Sequence, residues 1–301
     1  MAKLNQNYRL ALRIIAEYRL LTVKQLAIAL GSNKQVIRRY LRALEEAGLV
    51  QSRPRGIGRS RGRPERVVSL TDQSVDLLRS EGVFGREVAN QHVTIDTLRN
   101  TEHQILLNWF RVHLIYAERN IPKITVRFLA STSPFLQRDS RGQPLIRDYA
   151  PITDDETIGF TPDGVWSLKD TERNKTFLFF LEVDMGTESV ISPQCNIQNI
   201  QQKVLTYGSY FDSDRYKHYE QTWQCKLEGF RLLFLTHTVT RLSALCHLIK
   251  EMPNTDFIWL TEQSRLFEHG ISAHIWVRGG HLDIPSESIF GSLSSPMSIP
   301  D

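Results

Sequence analysis

Cysteine is scarce in this chain, and long apolar runs are absent from it. The three cysteines, Cys195, Cys225 and Cys246, are far apart and odd in number, and no CxxC pair or cysteine–histidine ligand spacing occurs. This argues against a disulfide framework and against a zinc finger. No apolar stretch reaches the length of a membrane span, and the first residues lack the apolar core of a signal peptide. We therefore expect a cytoplasmic protein without a membrane partner.

Motifs of common enzyme chemistries are missing as well. The nine histidines show neither HxxxH nor HxH spacing, and neither a GxSxG motif nor a phosphate-binding glycine loop is present. We expect His103, His237 and His247 to be structural residues. With 301 residues, 41% of them hydrophobic and 23% charged, the chain is long enough for two globular domains with separate cores.

The charge is distributed unevenly along the chain. The formal net charge is +4, but residues 1–86 hold 17 Lys and Arg against 7 Asp and Glu, a net charge of +10. The remaining residues hold 20 basic and 26 acidic side chains, a net charge of −6. Such a division is expected when one domain meets a polyanion and the other does not.

The sequence predicts two helices near the start of the chain, the second of which ends in a sharp turn. Apolar residues at helical spacing follow Gln6, and Thr22 to Gln25 has the form of a capping box that opens a second helix. Gly31 is a suitable left-handed terminator, and Ser32 to Gln35 forms a further capping box directly after it. A helix that ends at glycine and restarts two residues later is typical of a helix-turn-helix.

The third predicted helix runs from about Asn33 to Ala47. Ile37, Leu41 and Leu44 face inward, and the opposite side is basic. A helix of this kind suits the major groove of DNA, where its first residues contact base edges and its later arginines contact phosphates. The candidate DNA-contacting residues on it are Asn33, Lys34, Gln35, Arg38, Arg39 and Arg42.

A strand at Leu49–Val50 and another at Val67–Leu70 enclose a segment rich in glycine, proline and arginine. Strands joined in this way form a β-wing, whose glycines allow close approach to a duplex and whose arginines contact phosphates or the minor groove. The candidate residues are Arg53, Arg55, Arg59, Arg61, Arg63 and Arg66. With the preceding helices, this segment resembles the winged-helix domains of bacterial regulators, which implies that residues 1–82 bind double-stranded DNA.

The second part of the chain predicts an α/β domain. We expect a linker over residues 83–100, a domain over residues 101–285 and a flexible tail over residues 286–301. A long helix from about Thr97 to Arg119 either opens this domain, forms a dimer seam, or does both. Strands, a helix beginning at Ser192-Pro193 and further strands follow in the order α-β-β-β-α-β, which predicts a sandwich built on a mixed sheet. The predicted strands are Ile124–Leu129, Gly159–Thr161 with Val165–Leu168, Phe177–Val183, and Phe230–Thr236, with two more near Phe257–Leu260 and His274–Val277.

Acidic residues lie at one end of the predicted central strand. Glu182 and Asp184 project from the same face, and Asp163 follows Pro162 at a hairpin. This pattern resembles the core of the PD-(D/E)XK nuclease superfamily, whose acids hold Mg²⁺ and whose lysine supports the attacking water. Asp184 stands where that lysine is expected, and Lys203 on the next helix is a candidate replacement. Glu102 on the long helix is a candidate for an additional acidic position.

The combination of a winged helix with Pro162-Asp163-Gly164, the stretch from Phe180 to Ser189, and Lys203 with Tyr207 and Tyr210 resembles the replication-relaxation family. The resemblance implies DNA binding in the replication, mobilisation or transcription of a plasmid or other mobile element, with the element's other proteins as candidate partners. Three functions stay open: a non-catalytic DNA-binding regulator whose second domain forms a homodimer or recruits a partner, a Mg²⁺-dependent endonuclease that the winged helix targets to DNA, and a metabolite-sensing repressor. Asp184 favours the first, because a carboxylate cannot supply the positive charge of the missing lysine.

Overall fold

The chain divides into two compact units. The structure, a computed structural model, describes residues 5–55, 65–85, 87–95, 98, 100–138, 144–153, 155–190, 199–294 and 296–300. Unit 1 comprises residues 1–115 and 132–136, and unit 2 comprises residues 116–131 and 137–301. Helices and strands occur in both units, which confirms the predicted mixed α/β class. Within the described residues, no helix is both long and apolar enough to cross a membrane.

Unit 1 begins with short helices around a small antiparallel sheet. The strands lie in the order β1-β3-β2, and β2 pairs with β3 from Val50↔Leu70 to Pro54↔Arg66. The described elements are α1 (Gln6–Tyr18), β1 (Leu21–Thr22), α2 (Val23–Leu30), α3 (Lys34–Glu46), β2 (Val50–Pro54), β3 (Arg66–Leu70) and α4 (Asp72–Ser80).

Local capping sets the turn between α2 and α3. Thr22 and Gln25 form the predicted capping box, and Gly31 ends α2 in the left-handed region at φ 64°. The second predicted capping box does not form at α3, because Asn33 and not Ser32 caps the helix: its side chain accepts a hydrogen bond from the amide of Val36 at 2.9 Å, and Val36 has no polar side chain to reciprocate.

A fifth helix, α5 (Thr101–Asn120), crosses the division between the units. Its first three-quarters belong to unit 1, where buried polar side chains bind it to the preceding elements. Gln25 Nε2 donates to the carbonyl of Ile105 at 2.9 Å, and Asn108 Nδ2 donates to the carbonyls of Tyr18 and Leu20 at 3.1 and 2.5 Å. Unit 1 therefore reaches Ile115, beyond the predicted domain boundary, because residues on the helix expected to open the second domain complete the core of the first.

Unit 2 is built on a mixed sheet with the strand order β11-β10-β9-β8-β7-β4. β8 pairs antiparallel with β7 and parallel with β9, which places it near the centre of the sheet. The described elements are β4 (Ile124–Ala130), β5 (Asp148–Pro151), β6 (Thr157–Phe160), β7 (Gly164–Asp170), β8 (Lys175–Asp184), α6 (Ile200–Asp212), α7 (Tyr219–Trp223), β9 (Phe230–Thr236), α8 (Val239–Lys250), β10 (Ile258–Glu262), α9 (Gln263–His269) and β11 (Val277–Arg278).

Most predicted strands of unit 2 occur within a few residues of their expected bounds. The strand expected over residues 159–161 differs, because β6 pairs with β5 in a separate hairpin and does not join the main sheet. The predicted helix start at Ser192-Pro193 lies outside the described residues, and the described helix α6 is capped by Asn199, whose side chain accepts from the amide of Gln202.

The core of unit 2 is strongly aromatic on one face of the sheet. Phe180 on β8 and Phe230 on β9 contact each other edge to face at 4.6 Å between ring centroids. Tyr207 and Tyr210 of α6 and Tyr219 of α7 cover the ring of Phe180. These fully buried rings fix α6 and α7 against the same face of β8 that carries Glu182.

Candidate functional site

The α3 helix presents two chemically opposite faces. Ile37, Leu41 and Leu44 are buried at i, i+4 and i+7 and attach the helix to unit 1. The opposite row is exposed and consists of Gln35, Arg38, Arg39 and Arg42 at i, i+3, i+4 and i+7. The buried row and the exposed row of α3 therefore have the spacing that the sequence predicts.

The three arginines of this row, Arg38, Arg39 and Arg42, are termed the α3 arginines. None of them forms an ion pair with any described residue. Cations three and four residues apart on a helix repel one another by a few tenths of a kcal/mol per pair, about as much as an opposite pair attracts. The row is thus a slightly unfavourable arrangement in the free protein, and an anionic partner along the helix would relieve the repulsion.

The first α3 residues have mixed roles. Asn33 is exposed, but its side-chain oxygen caps the helix, so only its amide nitrogen is available to a ligand. Lys34 is half-buried and Gln35 is exposed. Of the residues predicted to read bases, Gln35 and Arg38 combine exposure with unoccupied polar atoms.

The β2–β3 hairpin holds part of the predicted wing. Arg59, Arg61 and Arg63 lie outside the described residues. At the base of the hairpin, Arg53 donates to the side chain of Gln51 at 3.1 Å, and Arg66 donates to the carbonyl of Ser52 at 3.0 Å. Both arginines are exposed, and Arg66 also forms an exposed ion pair with Glu45 at 3.4 Å.

Arg55 is engaged within unit 1. Its guanidinium donates to both oxygens of Glu102 and lies 3.0 Å from Glu65 Oε2. Glu102, which the sequence suggested as an additional acidic position of a nuclease-like site, instead holds the base of the hairpin to α5. The bidentate geometry occupies the arginine fork, so Arg55 is a structural residue of the hairpin and not a free cation.

The acidic cluster of unit 2 consists of Asp163, Glu182 and Asp184. Glu182 and Asp184 project from the same face at the end of β8, as the strand period predicts, and each is only 6% exposed. Oxygen Oδ2 of Asp163, just before β7, accepts from the amide of Val183 at 2.8 Å. The structure therefore brings the three predicted carboxylates to one edge of the sheet.

Glu182 is compensated by two donors from α6. Lys203 Nζ lies 3.0 Å from Glu182 Oε2 and 3.2 Å from Glu188 Oε2, and the hydroxyl of Tyr207 donates to Glu182 Oε1 at 2.6 Å. Burial raises the pKa of Glu182, with the charge of Lys203 opposing and that of Asp163 reinforcing the shift. Burial lowers the pKa of Lys203, but the surrounding carboxylates outweigh it and raise that pKa overall. The lysine is therefore a fixed cation.

Asp184 has its own cation from a different helix. Arg241 Nε on α8 donates to Asp184 Oδ2 at 2.6 Å, and the same guanidinium donates to the carbonyl of Glu188 at 2.7 Å. The other oxygen of Asp184 accepts from the amide of Gly186 at 2.7 Å. Sequence reasoning missed Arg241, although its place in the first turn after β9 was a usable signal, because helices that follow parallel strands begin at the strands' carboxyl ends.

The three carboxylates of the cluster thus contact two cations, a tyrosine hydroxyl and backbone amides. Among the described residues, no group of three or more His, Cys, Asp or Glu side chains is arranged to hold a metal ion. The residues predicted as metal ligands, Asp163, Glu182 and Asp184, have their oxygens directed at an amide, a lysine, a tyrosine and an arginine. Chemically, this arrangement stabilises the edge of the sheet and ties α6 and α8 to it.

Comparison with known proteins assigns the chain to a family. Residues 12–224 match the replication-relaxation family, a range that begins in α1 and ends just after α7. The chain belongs to the replication-relaxation family. The matched range includes the α3 arginines and the acidic cluster, but it ends before Arg241. No curated protein matches the sequence.

Two solved structures show weak likeness to this replication-relaxation protein. One is a mutant of Lactococcus lactis ZitR in complex with DNA, with 23% identity, covering 28% of this chain and 53% of that chain at a TM-score of 0.24. The other is ZitR of the same organism, described as a zinc-responsive MarR family member, with 18% identity, 38% and 76% coverage, and the same TM-score. The chain therefore spans about half of the first of these structures, and neither likeness supports a conclusion about the fold.

Proposed function

We propose that this replication-relaxation protein binds double-stranded DNA through unit 1, with α3 in the major groove. The observation that carries the proposal is the row of exposed α3 arginines, which have no carboxylate partner in the part of the chain that the structure describes. Arginines so placed lose their mutual repulsion and release condensed counterions when they meet phosphates. Gln35 and Arg38, near the start of the helix, are the residues that contact base edges.

The proposed binding module is a winged helix-turn-helix. The α2–α3 turn at Gly31 and the β2–β3 hairpin directly after α3 have the order that such a module requires. The arginines of the hairpin, Arg53 and Arg66 at its base and Arg59, Arg61 and Arg63 at its tip, supply backbone or minor-groove contacts. Arg55 is left out of this set because Glu102 and Glu65 engage its whole guanidinium, whereas Arg66 has only a single exposed contact with Glu45 at 3.4 Å.

Family membership gives the proposal its setting. A sequence-specific DNA-binding protein of this family acts in the replication, mobilisation or transcription of a mobile element such as a plasmid. Twofold pairing on a palindromic site is part of the proposal, since one winged helix buries too little surface for high specificity. The long-helix residues predicted to form the dimer seam, Leu106 to Leu114, include Leu107, Phe110 and Leu114, which are fully buried within the single chain. Another surface must therefore join the protomers.

The test replaces all three α3 arginines by glutamine in one variant and measures its affinity for duplex DNA by fluorescence anisotropy. The matched control removes the same charge from exposed residues of unit 2, namely Lys123, Arg173 and Lys250, whose side chains are 52%, 64% and 45% exposed. We expect the α3 variant to lose at least tenfold in affinity and the control to bind like wild type. Equal loss in both variants would reduce the effect to net charge and contradict the proposal.

We further propose that the acidic cluster of unit 2 is structural and that the domain serves dimerisation or partner binding. The sequence predicts a PD-(D/E)XK-like domain around β8, and the ion pairs of Lys203 with Glu182 and of Arg241 with Asp184 support a structural role for its acids. The competing function is a Mg²⁺-dependent endonuclease, in which Lys203 would support the attacking water. Incubation of plasmid DNA with the protein and Mg²⁺ or Mn²⁺ separates the two, since we expect no cleavage beyond that of a Glu182→Ala control.

A further inference from the structure

A groove lies in unit 2, at the end of β8 opposite to the acidic cluster. It has a volume of about 990 Å³ and is lined by the first residues of β8, by the segment before β9, and by β10 and β11. Pockets for small ligands are roughly 300–1,000 Å³, so the groove has room for an extended ligand. Nothing in the proposed binding of duplex DNA by unit 1 uses it.

The floor of the groove combines arginine with aromatic rings. Directly paired strand residues share a sheet face, and the register pairs Phe179 with Arg231 and Trp259 with Arg278. The guanidinium of Arg231 lies 4.5 Å from the centroid of the Trp259 ring. Phe177, two residues before Phe179, therefore stands on the same face, and it is 39% exposed. An exposed phenylalanine thus lies beside a stacked arginine.

Lysines also line the groove: Lys175 shares the sheet face of Phe177, whereas Lys169, paired with Thr176, belongs to the other face. Lys169, Lys175 and Lys226 are exposed and form no ion pair with any residue that the structure describes. Most of the carboxylates that line the groove are already engaged. Asp256 and Glu287 lie 3.5 and 3.6 Å from the guanidinium of Arg278. Glu220 Oε1 accepts from the amide of Leu227 at 2.8 Å, which leaves Glu228 as the acid without such a contact.

Arg231 itself lacks a close counterion. Within the described part of the chain it contacts Trp259, and no carboxylate lies within ion-pair distance of it. Burial lowers the pKa of this arginine, Glu287 opposes the shift, and the neighbouring charge of Arg278 adds to it. An anion that bound in the groove would therefore stabilise this half-buried guanidinium.

We propose that this groove binds a single strand of DNA. Lys175 and Arg231 share the sheet face of Phe177, and Lys169 and Lys226 line the same groove, so a strand that passes Phe177 has several cations available to its phosphates. The exposed ring of Phe177 offers a stacking surface that the paired bases of a duplex cannot reach. Arg231, supported by Trp259, supplies a phosphate contact next to that ring. A strand fits this combination better than a single nucleotide, which would use only one of the separated cations.

The test measures binding of a labelled oligothymidylate by anisotropy in the full chain. The α3 arginines are replaced by glutamine in every sample, so that binding by unit 1 is reduced. Phe177→Ala is then compared with Phe267→Ala, because both rings belong to unit 2 and are 39% and 40% exposed. We expect a loss of about fivefold or more for Phe177→Ala and none for Phe267→Ala. Equal affinity of these two variants, or no single-strand binding once the α3 arginines are replaced, overturns the proposal.

A second measurement needs no substitution in the groove. An oligonucleotide carrying 5-iododeoxyuridine is cross-linked to the wild-type protein, and the attached peptide is identified by mass spectrometry. We expect attachment at Phe177, whose ring is 39% exposed. Attachment confined to unit 1 contradicts the proposal. Competition by thymidine monophosphate as strong as that by the oligonucleotide also contradicts it, since one nucleotide would then account for the binding.

Discussion

Replacement of Lys203 by methionine tests the acidic cluster as a set of structural ion pairs. Lys203 lies 3.0 Å from Glu182, and their side chains are 16% and 8% exposed. Removing one partner of a buried ion pair costs about 3–5 kcal/mol, because the other charge stays buried without compensation. Tyr207 still donates to Glu182, so the lower end applies. A loss of about 3 kcal/mol corresponds to a decrease of about 6–12 °C in the melting temperature of a domain of this size.

The pH dependence of this loss has a definite sign. Without Lys203, burial and Asp163 raise the pKa of Glu182 further above its ordinary value of 4.5. The folded variant then binds the proton more tightly than the unfolded chain, so its stability rises as the pH falls through the raised pKa. The deficit relative to wild type should therefore be largest at neutral pH and become smaller as the pH falls toward 4.5.

Urea denaturation followed by tryptophan fluorescence measures the effect, since Trp166 and Trp276 are fully buried in unit 2. Lys123→Met is the matched control. Its ion pair with Glu172 has side chains 52% and 59% exposed, and a pair this exposed contributes only about 0–1 kcal/mol. If Lys203→Met is no less stable than Lys123→Met, or if its deficit does not change with pH, the description of the cluster as a compensated ion-pair network is refuted.

Three further predictions concern DNA, assembly and metal. Alanine at Arg59, Arg61 and Arg63 should weaken duplex binding and lower the salt slope by about 0.9 per lost phosphate contact, whereas Gln35→Ala should reduce sequence preference more than non-specific affinity in a binding-site selection. Light scattering should show two protomers on a palindromic duplex, and a monomer both free and on DNA would contradict pairing. Mg²⁺ or Mn²⁺ should leave the melting temperature unchanged, while a metal-dependent increase that Asp163→Asn abolishes would identify an ion site.

Local patterns in the sequence predicted the elements well. The helix expected over residues 33–47 is α3, and the expected strand Phe230–Thr236 is β9 without change. Both depend on short-range rules, namely capping, apolar periodicity and glycine termination. The one-residue error at the cap of α3 arose because Ser32 and Asn33 are both good caps, and only the three-dimensional turn distinguishes them.

Contacts between distant residues could not be predicted in the same way. The sequence suggested Glu102 as an additional acidic position of the site, but its carboxylate accepts from the guanidinium of Arg55, which lies 47 residues earlier in the chain. Arg241 pairs with Asp184 across 57 residues, and its place after β9 indicates only that it lies near the carboxyl ends of the strands, not which carboxylate it pairs with. Ion pairs depend on which elements pack together, and periodicity does not determine that. The acids of the cluster were found from strand alternation, whereas of the cations that neutralise them only Lys203 was found.

The salt dependence of duplex binding tests the central claim most directly. The logarithm of the binding constant is measured against the logarithm of salt concentration for wild type and for the protein in which Arg38, Arg39 and Arg42 are glutamine. If Arg39 and Arg42 each contact one phosphate while Arg38 contacts a base edge, the slope should become shallower by about 1.8, since each phosphate contact contributes about 0.9. An unchanged slope with unchanged affinity would show that α3 does not contact DNA and would contradict the proposed function of unit 1.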